Sequence, residues 1–277
     1  MNGTRYARGE PEPFELFAIR YAHHGGRRAS DNFIGGDIHE AASDLDYFVW
    51  VARRADKTFV MDTGFGPEAA QARARELFRL PAEALRLIGL EPERIDDIIL
   101  THLHYDHAGT LDSFPRARFH VQDAESAYAT GRCMCHPFLR HPYDVENVVA
   151  FVRHLYCGRV IFHDCVAELA DGLTLHRVGG HSAGLQVVRV WTRRGWVVIA
   201  SDATHLYANL QKRLPFPAVY NVGDMMEGHE MLRHLADSED HIVPGHDPLV
   251  MKIYPAPASD LAGMVVRLDK GPDLSRA

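Results

Sequence analysis

Thr101-His102-Leu103-His104-Tyr105-Asp106-His107-Ala108-Gly109 is the stretch on which the reading of this chain turns. Directly before it stands the apolar run Ile98-Ile99-Leu100. A short β-branched run of this kind reads as a buried strand, and the polar cluster as the loop where it ends. On an extended segment, side chains two apart point the same way, so His102 and His104 can grip one ion from one side. Asp106 and His107 follow once the chain has begun to turn, and can face a second ion. Imidazole combined with carboxylate suits zinc, and also manganese, iron or cobalt. The competing explanation is a His-rich loop on a His-rich chain, since 18 of 277 residues are His. A scattered set, however, rarely puts three His and one Asp behind a strand.

Upstream, residues 57–61 predict a strand that ends in Asp62-Thr63-Gly64. Asp62 is suited either to accept a hydrogen bond from a ligand imidazole or to fix a turn. Residues 14–21 and 45–52 predict the first strands of a sheet. Between them, 22–43 is a polar, Gly-rich loop whose His23 and His24 are candidates for touching substrate or metal. Residues 67–80 and 81–90 have the spacing of amphipathic helices, each opened by a proline.

Downstream come a strand at 118–121, a short helix capped by Asp123, an irregular pocket-covering segment at 130–142 and a helix at 144–156. Strands at 160–162, 167–170 and 173–178 lead into Gly179-Gly180-His181-Ser182-Ala183-Gly184, where the glycines let the backbone approach whatever His181 binds. Strands at 186–191 and 196–200 form a hairpin whose second arm ends in Ser201-Asp202. A helix at 224–237, a short strand finishing in Gly245-His246, and a terminal helix at 259–268 complete the chain. His181, Asp202 and His246 each follow a strand, as the first cluster does, so one layer edge can collect them.

The net charge of −7 and the absence of a Lys/Arg block argue against nucleic acid as a partner. No apolar run approaches the roughly 18 residues needed to span a bilayer, and the polar tail 1–13 has no stretch of leader length. The expectation is a cytoplasmic, monomeric or homodimeric protein with one domain over 1–277, meeting no membrane. Cys133, Cys135, Cys157 and Cys165 lack the paired spacing of a structural zinc site and read as reduced, partly buried thiols.

The ordered set His102-x-His104-x-Asp106-His107, then His181, Asp202 and His246, with Asp62-Thr63-Gly64 before it, resembles the metallo-β-lactamase superfamily from about residue 45 to 250. The resemblance implies an α/β fold, an αβ/βα four-layer sandwich of two mixed β-sheets flanked by helices. It also implies two divalent metal ions, zinc above all: His102, His104 and His181 on one, Asp106, His107 and His246 on the other, and Asp202 bridging. A hydroxide shared by the ions would be the nucleophile. Asp rather than Cys at 202 points away from the antibiotic-hydrolysing branch, and the lack of a basic surface away from the nucleases.

The chain is most similar to the acyl-homoserine lactonase group, which implies ring opening of an acyl-homoserine lactone or of a small carboxylate-bearing lactone, with Asp106 delivering a proton to the leaving alkoxide. In that group Tyr105 would point into the substrate pocket. One departure stands out: those lactonases carry a Tyr three residues after the bridging Asp, whereas here His205 occupies the position and Tyr207 lies two further on, either of them a candidate donor to the lactone carbonyl. A thioester hydrolase of the glyoxalase II type is the enzymatic alternative, and a non-catalytic ligand-binding relative the alternative of another class.

Overall fold

Along β2 (Leu45–Arg54), Phe48, Trp50 and Ala52 are buried on one face and Tyr47, Val49 and Val51 on the other. A strand with two apolar faces must be covered on both sides, and the computed structural model, which describes residues 11–35 and 43–276, supplies both covers. The rest of the chain, including most of the polar tail and part of the Gly-rich loop, lies outside the described residues.

The first sheet runs β13 (Val265–Arg267), β1 (Glu15–His24), β2, β3 (Lys57–Met61), β5 (Asp97–Ile99), β6 (Arg118–Gln122) and β7 (Val160–His163), with β4 (Glu76–Leu77) also pairing on β1. Its early strands are antiparallel, and β3, β5, β6 and β7 are parallel. The second sheet runs β12 (Ile242–Pro244), β11 (Gly195–Ser201), β10 (Gln186–Thr192), β9 (Leu173–Arg177) and β8 (Val166–Ala170), with only β11 and β12 parallel.

Trp50, Phe59, Met61 and Ile99 from the first sheet meet Leu175, Val188, Val190 and Ile199 from the second, which forms the core between them. The outer face of the first sheet is covered through Phe151 of the helix Val145–Tyr156 and Leu85 of Pro81–Leu85. The outer face of the second is covered through Leu232 of Val222–Leu235. Two mixed sheets with helices outside them make the expected four layers.

Three predicted elements differ. Residues 259–268 hold a 3₁₀ turn and β13 rather than a terminal helix, because Val265 and Val266 drop into the cores on opposite sides of the sheet while pairing with Ile19 and Ala18. The helix expected over 67–80 stops at Ala72: Ala74 takes a left-handed φ of 52°, and Glu76 and Leu77 extend to pair with β1. The helix expected over 81–90 ends at Leu85 in a 3₁₀ turn closed by Gly89 at φ 75°. The thiols also differ, since Cys135, Cys157 and Cys165 are exposed and Cys133 is half-buried. No helix among the described residues is long and apolar enough to cross a membrane.

Candidate metal centre

Parallel β3 and β5 end side by side, as do parallel β11 and β12, so the chain segments leaving them converge on one edge of the sandwich. His102 to His107 follow β5, Asp202 follows β11 and His246 follows β12. His181 arrives on the turn after β9. Its neighbours Gly180 and Gly184 permit close approach of other parts of the backbone. A Cβ on Gly180 would lie 2.5 Å from the Met225 backbone, and one on Gly184 2.1 Å from Glu125 N.

The side chains form two buried groups. His181 Nε2 lies 3.1 Å from His102 Nε2 and 2.8 Å from His104 Nδ1. Asp106, His107 and His246 make the other group, with Asp106 Oδ2 3.7 Å from His107 Nε2 and 3.8 Å from His246 Nε2. Asp202 stands between them. Its Oδ1 is 3.2 Å from His107 Nε2 and 3.0 Å from His246 Nε2, and its Oδ2 is 3.1 Å from His181 Nε2.

These donors fit divalent ions. His107 Nε2 and Asp202 Oδ1 are sealed from solvent and lie 3.2 Å apart without the alignment of a hydrogen bond among the described residues, a costly arrangement unless a cation lies between them. Burial, reinforced by the other imidazoles, holds the pKa of His102 and of His104 well below the usual histidine range, so their nitrogens present lone pairs. On the other side burial opposes charge on His107, yet Asp202, Asp106 and Asp62 outweigh it and hold its pKa well above that range. That side of the site draws positive charge.

Outer contacts set the ring directions, as is usual around metal ligands. His107 Nδ1 is 2.8 Å from Asp62 Oδ2, whose carboxylate also accepts from Thr101 N and Thr101 Oγ1. His181 Nδ1 donates to Ala218 O at 2.6 Å, and His246 Nδ1 to Asp46 O at 3.0 Å. Glu125 does more: Oε1 accepts from Leu103 N and the Tyr143 hydroxyl, and Oε2 from Ser182 Oγ and Gly184 N. Sequence reasoning missed Glu125, an ordinary acid in the first turn of a short helix, and its only signal is the small residues opposite it.

Other candidates separate. His205 joins the cluster, with Nε2 2.9 Å from Asp202 Oδ2. Tyr207 does not: its ring packs against the core between the sheets, and burial beside Tyr254 pushes its phenol well above the usual range. Tyr105 turns into the outer core, its hydroxyl accepting from Arg75 and donating to Tyr47, with Arg73 4.0 Å over its ring. His23 is 2.7 Å from Asp46, outside the cavity that adjoins the cluster. His24 does line that cavity. It encloses about 680 Å³ and is walled by Arg27, His104, Phe138, Leu139, His181, Val219 and Tyr220 among others.

Layers and donor set together define a metallo-β-lactamase-type hydrolase scaffold. The profile of the Metallo-beta-lactamase superfamily matches residues 43–246, and the chain belongs to that superfamily. Within it, the chain is 29% identical over 184 residues to an N-acyl homoserine lactonase of Agrobacterium fabrum, a match covering 60% of this chain and 66% of that enzyme. It is 28% identical over 165 residues to an N-acyl homoserine lactonase of Bacillus cereus, covering 59% and 60%. A quorum-quenching N-acyl homoserine lactone lactonase superposes with a TM-score of 0.71 at 22% identity, covering 86% of this chain and 94% of that one, which shows the shared fold.

Proposed function

We propose that this chain is a metal-dependent lactonase that opens the ring ester of an N-acyl homoserine lactone or a related small lactone. Two divalent ions, zinc first among them, would be held by His102, His104 and His181, by Asp106, His107 and His246, and by Asp202 in common. The observation that carries this reading is the Asp202 carboxylate, each oxygen turned to a different buried donor group. When bound, such ions supply Lewis-acid chemistry that polarises an ester carbonyl and acidifies water.

The chain's own residues would do the rest. Asp106 Oδ2, within 4 Å of both His107 and His246, would take the proton given up by the attacking water and return it to the departing alkoxide. Phe138, Leu139, Val219 and Tyr220 form the apolar wall that takes an acyl chain and keeps water away. In support, the curated relatives are named for N-acyl homoserine lactones, and one solved neighbour holds N-hexanoyl-L-homoserine at its metal centre.

Arg27 favours a second substrate type. Its guanidinium borders the cavity and bonds to Asn32 Oδ1, His24 Nδ1 and Asp31 O, none of them a carboxylate, so a carboxylate-bearing lactone would find a cation there. A panel monitored by acid release tests these readings, with acyl-homoserine lactones of graded chain length, carboxylate-bearing lactones and S-lactoylglutathione. Turnover of the thioester alone would replace the lactonase reading with the glyoxalase II type; no turnover of any ester would favour the non-catalytic relative.

A further inference from the structure

Neither donor group needs His205, yet its ring faces the carboxylate they share. Nε2 lies 2.9 Å from Asp202 Oδ2, the same oxygen that His181 Nε2 approaches to 3.1 Å. The three donor atoms fall within 4.8 Å of one another, as do those of His102, His104 and His181. We propose that His205 is an eighth metal-facing residue, a further donor on the His102–His104–His181 side of Asp202, rather than a proton donor to a lactone carbonyl. The inference rests on the two-ion reading of the site.

The ring is held in place before any ion arrives. Buried Phe216 stacks on it with centroids 3.5 Å apart and planes 16° from parallel. Its backbone is tied to the segment carrying His246: His246 N donates to His205 O, and Gly245 N to Thr204 O, both over 3.0 Å. A ring fixed on one side by stacking and on the other by backbone bonds loses little freedom on ligation. With His205 counted, each oxygen of Asp202 has two imidazole nitrogens within 3.2 Å, His107 and His246 at Oδ1, His181 and His205 at Oδ2, with His102 Nε2 further off at 4.0 Å from Oδ2. The first position then has five protein donors and the second four, so the two ions are bound with unequal strength.

Two roles for this ring make different demands. A side chain that only donates a hydrogen bond to Asp202 can be replaced by glutamine, whose amide also carries an N–H. A ligand cannot, because an amide is a poor zinc donor beside an imidazole nitrogen.

The test uses the zinc-loaded parent, His205→Gln and His205→Ala, each dialysed against graded dipicolinate, with zinc per chain measured. Visible spectra of the cobalt-substituted proteins are recorded alongside, and circular dichroism checks the fold. In the parent, one zinc should persist at chelator concentrations that strip the other. In both variants that ion should leave at chelator concentrations lower by more than about tenfold, with an altered cobalt spectrum. A glutamine variant that keeps the parent's zinc retention and cobalt spectrum overturns the inference and leaves the two-ion reading standing. A parent that binds no zinc overturns both. If His205→Ala does not fold, the glutamine variant decides alone.

Discussion

Ser182 Oγ donates to Glu125 Oε2 over 2.6 Å, and through the other oxygen, 3.0 Å from Leu103 N, the same carboxylate ties the His181 turn to the loop carrying His102 and His104. Two ligand-bearing loops from different sheets are thus fixed by one buried side chain. Hydrogen bonds to a charged group contribute ~1.5–3 kcal/mol each, and buried donors left unmet add to the loss. Glu125→Ala should therefore lower unfolding stability by at least ~3 kcal/mol and weaken zinc retention. Glu125→Gln should fall between, because its NH₂ meets donors where an acceptor stood. Urea unfolding at fixed zinc measures this. A Glu125→Ala protein within ~0.5 kcal/mol of the parent would remove Glu125 from this role.

Asp202 is where the two donor groups depend on one residue. Asparagine has nearly the same shape, but its NH₂ cannot give electrons to a cation. One of the two groups therefore loses its shared donor. Asp202→Asn should hold at least one zinc fewer per chain by elemental analysis, and lactone turnover should drop by ~100-fold or more. Chelator-treated parent should lose turnover and regain it on adding zinc. Equal zinc content in the two proteins would show that Asp202 is not shared.

That these His and Asp side chains gather at one place was legible in the sequence because they lie on segments leaving strands, and strands in one sandwich end at common edges. The four layers were legible only through the family resemblance, since alternation along β2 calls for covers on both faces without saying which elements supply them. What stayed hidden depends on partners distant in the chain. Glu125 matters for Leu103, Tyr143 and Ser182, and none of these pairings leaves a local pattern. Val265 and Val266 looked helical in spacing, and only the open edge of β1 makes them a strand. Tyr207, two residues from His205, was an equal candidate by position until the turn at Leu206 sent it into the other core.

That turn makes Tyr207 a sharp control. Its hydroxyl is buried among core residues beside the Tyr254 phenol and away from the cluster, so Tyr207→Phe removes a polar group that contributes nothing to the cluster. kcat/KM should stay within about twofold, and stability should be unchanged or up to ~1 kcal/mol higher. Phe216→Ala, which frees the His205 ring, should instead lower zinc retention. A large loss of kcat in Tyr207→Phe with KM unchanged would return the phenol to the reaction.

His24 gives the cavity wall a pH dependence of known sign. Burial first, then Arg75 and Arg27, lowers its pKa from 6.5 to about 4, and its Nδ1 accepts from Arg27 Nη1 at 3.3 Å. A protonated ring would lose that bond and meet two guanidinium groups. Between those two pH values the unfolded chain holds a proton on His24 that the folded chain does not, so protonation favours unfolding. The stability associated with this residue is present above pH 6.5, falls as the pH drops towards about 4, and changes no further below that. His24→Gln keeps a carbonyl acceptor for Arg27 and cannot titrate. Urea midpoints of parent and variant at pH 7 and at about pH 4.5 should show the variant losing less stability over the interval. Equal losses would mean that His24 titrates at its ordinary value and that the Arg27 contact does not hold it neutral.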